Sequence, residues 1–196
     1  MIYAIGLVVV SYLLGSVSAA VVVCRLLGKN DPRESGSGNP GATNVLRLHG
    51  KGPAIATLLG DIGKGVVPVL LARGLELGPL VIGACACAAF LGHLFPVFFG
   101  FRGGKGVATF VGVLLAIALP LGLGFIGLWL LVAAITRYSS LAALTATAAM
   151  PLVGVWLGSP WPYIAAMAVM GSAIFYRHQA NISRLLAGTE GRIGKR

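Results

Sequence analysis

Seven apolar stretches leave this chain few ways to fold other than across a membrane. They run at about residues 2–27, 53–72, 78–98, 107–119, 123–136, 140–157 and 161–176. A bilayer core takes about 20 apolar residues per helix, so seven helices use about 140 of the 196 residues and leave about 56 for loops. Hydrophobic residues make up 57% of the chain and charged residues only 10%; an ordinary soluble domain carries about 25% charged. The expected fold is an all-α integral membrane protein, a seven-transmembrane-helix bundle forming one domain over residues 1–196.

A net charge of +10 would point to nucleic acid in a soluble protein. In a membrane protein the inner loops are basic for topological reasons, so no nucleic-acid partner is expected. With the N-terminus outside, Arg25, Lys29, Arg33, Arg47, Lys51, Arg102, Lys105, Arg137, Arg177, Arg184, Arg192, Lys195 and Arg196 fall on the cytoplasmic side. Arg73 alone falls outside, and Lys64 lies within the membrane. This bias predicts an outside N-terminus and a cytoplasmic C-terminus, and Trp156 and Trp161 fit an outer aromatic belt. Residues 120–124 read as a tight turn between the short fourth and fifth stretches. Those two stretches have two readings, two full crossings or a re-entrant pair in a five-span protein, and the charges sort the same way in both. No basic segment precedes the first apolar run, which is therefore expected to be a retained helix. Cys24, Cys85 and Cys87 lie in apolar stretches without paired spacing and read as packing residues.

Two loops are glycine-rich beyond what a connector needs. Ser35 to Arg47 reads S-G-S-G-N-P-G-A-T-N-V-L-R. Its glycines let backbone N–H groups converge on one point. Ser37, Asn39, Thr43 and Asn44 add donors, and Arg47 adds a charged fork suited to phosphate. A helix starting near Thr43 would aim further free N–H groups at the same anion. Gly36, Gly38 and Gly41 mimic a dinucleotide fingerprint, but that motif needs a βαβ unit and the flanks here are apolar helices. The second loop, Gly100 to Gly106, sets Arg102 and Lys105 among glycines at a helix start. Its spacing departs from a nucleotide-binding P-loop, and an anion there would offset a lysine at the positive end of a helix dipole. Both loops, the turn before Ser140 and the Tyr176-Arg177-His178…Asn181 segment are expected on the cytoplasmic face, converging on one site.

Asp61 and Lys64 lie three residues apart within the second stretch and can pair on one helix face. Intramembrane charges usually mark function; these two either brace the site or, through Lys64, face substrate. His93 stands between binding substrate and bonding to backbone. No metal constellation is expected, because no His pair has ligand spacing. Nor does a Ser-His-Asp order or G-x-S-x-G stand out. A reaction here needs little protein base and depends on positioning and on stabilising anionic oxygens.

The segments S-G-N-P-G-A-T-N-V-L-R (Ser37 to Arg47), Gly60-Asp61…Lys64-Gly65, G-H-L-F-P-V-F…F-R-G-G-K-G-V-A-T (Gly92 to Thr109) and Tyr176-Arg177-His178…Asn181 closely resemble the bacterial PlsY family of acyl-phosphate:glycerol-3-phosphate acyltransferases. The resemblance covers nearly the whole chain. It implies a multi-pass enzyme of the bacterial inner membrane with a cytoplasm-facing site, acylating position 1 of sn-glycerol 3-phosphate from an acyl phosphate rather than acyl-CoA. No cofactor is implied; the partners would be the two substrates and membrane lipids, with room for contact with the enzyme that supplies acyl phosphate. By motif, Ser37, Gly38, Asn39 and Thr43 would hold the acyl-phosphate head, with Gly41, Asn44, Arg102, Gly103 and Gly104 completing the substrate-binding loops. Arg47, Lys105, His178 and Asn181 would bind glycerol 3-phosphate, with Ser140 nearby and Lys64 and His93 as further substrate-binding candidates. Lys105, His178 and Ser140 are the catalytic candidates. The proton acceptor is either the substrate's own phosphate or His178. The H-x-x-x-x-D of other glycerolipid acyltransferases is missing: Ala54, Phe98 and Ser183 stand five after His49, His93 and His178. The competing reading is a transporter or flippase for an anionic lipid precursor, which an internal inverted repeat would support; none is visible.

Overall fold

The computed structural model describes residues 2–194; Lys195 and Arg196, two of the charges in the topology count, lie outside them. The described residues form ten α-helices and one 3-10 turn, with no strand. All seven expected stretches are helical, but the element count differs from seven for three reasons. The first stretch breaks into α1 (Ile2–Gly15) and α2 (Ala19–Leu26), bent by 48°. Near the break, the Ser16 hydroxyl bonds back to the Tyr12 carbonyl at 2.9 Å, an alternative to continuing the helix. A short helix, α3 (Ala42–His49), forms inside the first loop. The polar tail winds into α10 (Gln179–Leu186).

Between these lie α4 (Lys51–Gly74), α5 (Pro79–Leu94), the 3-10 turn Val97–Phe99, α6 (Val107–Ile117), α7 (Leu119–Thr136), α8 (Ser139–Trp156) and α9 (Trp161–Arg177). The expected turn at residues 120–124 is absent. Pro120 sits in the first turn of α7, where its missing N–H costs nothing, and the chain reverses on extended Ala118 instead. Among the described residues, four spans are long and apolar enough to cross a membrane: α4, α5 with its 3-10 extension, α7 and α8. The bent α1–α2 pair makes five if counted as one. At 11 residues, α6 is about 16 Å long, roughly half of a hydrocarbon core.

Small residues bring the helices together, as expected where lipid removes much of the hydrophobic drive between them. A Cβ on Gly15 would collide with Ala89 backbone, and one on Gly92 with the Tyr12 carbonyl, locking α1 to α5. Gly65 and Gly112 likewise lock α4 to α6 against Thr109 and Ile62 backbone. Phe90, Phe110, Phe125, Leu114, Met150 and Met170 fill the shared core, with Phe110 edge-on to Phe125 at 5.8 Å. The outside is apolar too: α7 exposes Leu123, Leu130, Leu131 and Ile135, the last at 74%. Cys24 and Cys85 are buried and Cys87 half-buried; all three are free thiols packed among apolar neighbours.

Candidate active site

The site lies at the end of the bundle where α5, α7 and α9 finish and α6 and α8 begin. Its first wall is the loop before α3, and Asn44 shapes it. Buried to 1% exposure, Asn44 accepts the Ser37 N–H at 3.0 Å and donates to the Pro32 and Ser35 carbonyls at 2.8 and 3.1 Å. Those bonds curl the chain so that Gly36 takes φ +63°, with no room for a Cβ beside the Asn44 oxygen. Asn44 was expected to contact substrate; the structure uses both its N–H donors within the loop. Ser37, Gly38 and Thr43 are exposed on the loop and α3, and the half-buried Asn39 amide folds over Gly41, the cap of α3.

Arg33 pins this loop to the second one. Its guanidinium forks onto Asp31, with Nη2 to Oδ2 at 2.7 Å, and its Nη1 donates to the Phe99 carbonyl at 2.9 Å. The Arg33 hydrogen bond holds the Asp31 carboxyl below its ordinary range. In the second loop, Arg177 donates to the Gly103 and Gly104 carbonyls at 2.8 and 3.2 Å. Gly106, at φ +87°, turns the chain tightly against Phe90 into α6. Arg33, Gly38, Phe101, Arg102, Gly103 and Arg177 line one cavity of about 280 Å³. Three guanidinium-bearing residues and two glycines around one space suit a phosphate.

Beside it runs a hydrogen-bonded chain. Lys105 Nζ donates to Asn181 Oδ1, Asn181 Nδ2 to Glu190 Oε1 at 2.6 Å, and Ser140 Oγ to the same oxygen at 2.6 Å. Arg184 Nε reaches the other carboxylate oxygen at 2.7 Å. Burial opposes the charge on Glu190, but the bonds from Ser140, Asn181 and Arg184 outweigh it and hold the carboxyl below its ordinary value. Burial pushes Lys105 down to about 8; repulsion from Arg184, Arg177 and Arg47 adds to this and Glu190 opposes it. His178 bonds its own helix, Nδ1 to the Ile174 carbonyl at 2.8 Å. Burial drives it down to about 4 against that bond, so at neutral pH Nδ1 carries the proton and Nε2 is left as a lone pair.

The four polar segments expected to converge do so: the two glycine loops, the α7–α8 turn and the α9–α10 junction all meet here. Gly38, Arg102 and Gly103 share the cavity, while Lys105, Ser140 and Asn181 share the chain. Exposed Arg47 comes near Gly191, with its Nη2 3.8 Å from the space a Cβ there would take. Lys64 and His93 lie inside the bundle, His93 directly behind Gly103 and Gly104 of the second loop. Lys64 Nζ is 2.9 Å from both Asp61 Oδ1 and the Val17 carbonyl at the α1–α2 break. Lys64 is thus paired with Asp61, one of the two arrangements expected for it, and is not among the residues lining the cavity. Sequence reading placed Arg177 in a converging segment without giving it a role, and did not assign Asp31, Arg33, Arg184 and Glu190 to the site. Glu190 carried one available signal: it is one of five acids in the chain.

Fold and site together define a class: an all-helical integral membrane protein with an arginine-lined cavity where two glycine-rich loops meet. A family model described as glycerol-3-phosphate acyltransferase matches residues 5–188. The chain is 58% identical over its whole length to a glycerol-3-phosphate acyltransferase of Thioalkalivibrio sulfidiphilus, covering 97% of that protein. It is 55% identical to one of Methylococcus capsulatus, over 94% of this chain and 93% of the other. A crystal structure of PlsY, an integral membrane glycerol 3-phosphate acyltransferase in its glycerol 3-phosphate form, is similar at TM-score 0.94 and 42% identity, covering 98% of this chain and 96% of that one. The PlsY structure in the lysophosphatidic acid form gives 0.92. The chain belongs to the glycerol-3-phosphate acyltransferase family.

Proposed function

We propose that this protein transfers the acyl group of a fatty acyl phosphate to the 1-hydroxyl of sn-glycerol 3-phosphate. The products are 1-acyl-glycerol 3-phosphate and phosphate, at the entry to phospholipid synthesis. The observation that carries the reading is the juxtaposition of two cation-bearing subsites, the arginine-lined cavity and the Lys105–Asn181–Ser140 chain. Ser37, Gly38, Asn39, Gly41 and Thr43 hold the acyl-phosphate head, with Arg102, Gly103 and Gly104 across the cavity. Arg47, Lys105, Ser140, His178 and Asn181 hold glycerol 3-phosphate.

The glycerol oxygen attacks the acyl carbonyl, forming an ester C–O bond. The bond from that carbon to the phosphate oxygen breaks, and phosphate leaves with the electron pair. Lys105 and loop N–H groups stabilise the oxyanion. The hydroxyl proton passes to the departing phosphate. A phosphate that titrates at about 6 is a stronger base than an imidazole held at about 4, so His178 Nε2 orients the hydroxyl instead of taking its proton.

The orientation completes the reading. The bent α1–α2 pair, α4, α5, α6, α7, α8 and α9 are the seven membrane segments of this reading, with the short α6 reaching only part-way through the bacterial inner membrane beside α4, the N-terminus outside and the site cytoplasmic. The positive charges around the site support this orientation. An encounter with the enzyme that makes acyl phosphate would occur at that face. The test is phosphate release by purified protein in lipid, given palmitoyl phosphate and glycerol 3-phosphate. Release should require both substrates, fail with palmitoyl-CoA and collapse in Lys105→Ala. No release from folded protein overturns the reading and moves the question to flux across vesicles.

A further inference from the structure

Asp61 is the only acid within a helix among the described residues. Its side chain is 3% exposed and that of Lys64 8%. A carboxylate so placed is costly unless it is paired, and such residues persist where they serve a site. Lys64 is one partner; the other is His93 on α5, whose Nδ1 lies 3.5 Å from the same Asp61 oxygen and whose side chain is 5% exposed. The far edge of that imidazole meets the second glycine loop, where a Cβ on Gly104 would strike His93 Nε2. The loop also rests on His93 backbone, because Gly104 N–H donates to the His93 carbonyl at 3.2 Å. A Cβ on Gly103 would strike that same carbonyl. On its other side the loop is held by Arg177. Gly103 and Gly104 thus lie between a guanidinium and an imidazole, and the next residue is Lys105.

We propose that Asp61 is a positioning residue for the anion-binding loop, acting through His93. The carboxylate draws the Nδ1 edge of the ring toward itself across 3.5 Å, an electrostatic contact without a hydrogen bond, and so biases the ring plane. The ring edge sets how far Gly104, and with it Lys105, advances toward the anion. Lys64 balances the carboxylate charge and joins it to the free Val17 carbonyl at the α1–α2 break. The loop's geometry is therefore referred to three helices, α1, α4 and α5. This proposal rests on the functional reading above for its kinetic test and has a second test independent of turnover.

Asp61→Asn strands the Lys64 ammonium, so the neutral pair Asp61→Asn/Lys64→Met is made alongside it, with His93→Gln and the combination of all three changes. Each is measured in lipid nanodiscs for melting temperature, for kcat and KM with both substrates, and for the rate at which an amine-reactive ester labels Lys105, read by peptide mass spectrometry. The expected result is a neutral-pair protein that melts within a few degrees of wild type. It should lose about tenfold or more in kcat/KM and show a severalfold change in Lys105 labelling. Adding His93→Gln should cost nothing further, because the two changes break one linkage. Wild-type labelling in the neutral-pair protein overturns the proposal whether or not the wild type turns over acyl phosphate. Full additivity of the Asp61 and His93 changes overturns it as well. An inactive wild type overturns the functional reading alone and leaves labelling to judge this one.

Discussion

Lys105 has an amide partner in Asn181, and its burial, reinforced by three neighbouring guanidinium groups, depresses its basicity to about 8. The sign of the resulting pH dependence is fixed: below that value the ammonium is charged and attracts substrate phosphate, and above it the attraction is lost. The kcat/KM profile, which reports the free enzyme, should fall as pH rises through about 8. In Lys105→Arg that fall should move beyond the accessible range, because a guanidinium stays protonated; a limb unmoved in this variant would assign it to another group. Lys105→Ala should lower kcat by about 10²-fold or more, the scale of removing one oxyanion donor. His178 carries the opposite prediction. With its nitrogen at about 4, it stays neutral from mildly acid to alkaline pH. His178→Gln should keep most of its turnover, because the glutamine amide oxygen can still accept from the hydroxyl, and its acid limb should be identical to wild type. Rates from about pH 3 to about 7.5 check this, a range that spans both the His178 value of about 4 and an ordinary imidazole. A lost acid limb in that variant would make His178 the base.

Among the elements, the first loop and the α4–α6 contact are where a single side chain decides a backbone path. Asn44→Ala removes the acceptor for Ser37 N–H and the donor to two carbonyls. Each buried group left without a partner costs about 1–3 kcal/mol, so the variant should melt at a lower temperature. Its KM for acyl phosphate should rise more than that for glycerol 3-phosphate. Equal shifts in both would disconnect this loop from the donor. Gly112→Val drives a branched side chain into the Ile62 carbonyl across the α4–α6 contact. Backbone cannot yield there as a flexible side chain would, so this protein should elute as aggregate, while Gly124→Val, where a Cβ meets nothing, should elute as wild type. The short α6 contrasts with α7. Eight of its 11 residues are buried and its ends lie against Phe90 and Arg73, whose Nη1 donates to the Ala116 carbonyl at 2.6 Å.

At the scale of the whole molecule, the tail closes the site. Ile193 N–H donates to the Arg137 carbonyl at 2.7 Å, Arg137 Nη2 returns to the Ile193 carbonyl at 2.8 Å, and Arg192 stacks over Tyr138 at 5.4 Å. Residues 188–194 therefore cross the α7–α8 turn and bring Glu190 to Ser140. The proposed orientation has a direct check on this scale. In a background without Cys24, Cys85 and Cys87, Gly188→Cys should react with a membrane-impermeant thiol reagent only from the cytoplasmic side, and Gly158→Cys only from the outside. The reverse pattern would invert the site.

The sequence by itself determined the membrane class, all seven helical stretches and the two glycine loops, because bilayer thickness and backbone satisfaction act on composition within one segment. It also marked Gly38, Arg102, Gly103 and Lys105, since cations and amides among glycines have few structural uses, while Ser140 and Asn181 were marked through the family resemblance. The α1–α2 break, the one-residue reversal at Ala118 and the winding of α3 and α10 came only with the fold, where packing between segments outweighs local propensity. The partners of charged groups were likewise decided there. Arg33 meets Phe99 across 66 residues, Ser140 meets Glu190 across 50, and Lys64 turns to Asp61 and a freed carbonyl instead of the cavity. A charge in a low-dielectric interior takes whichever partner the packed helices bring within reach, and that distance is a property of the assembled bundle rather than of any stretch of the chain.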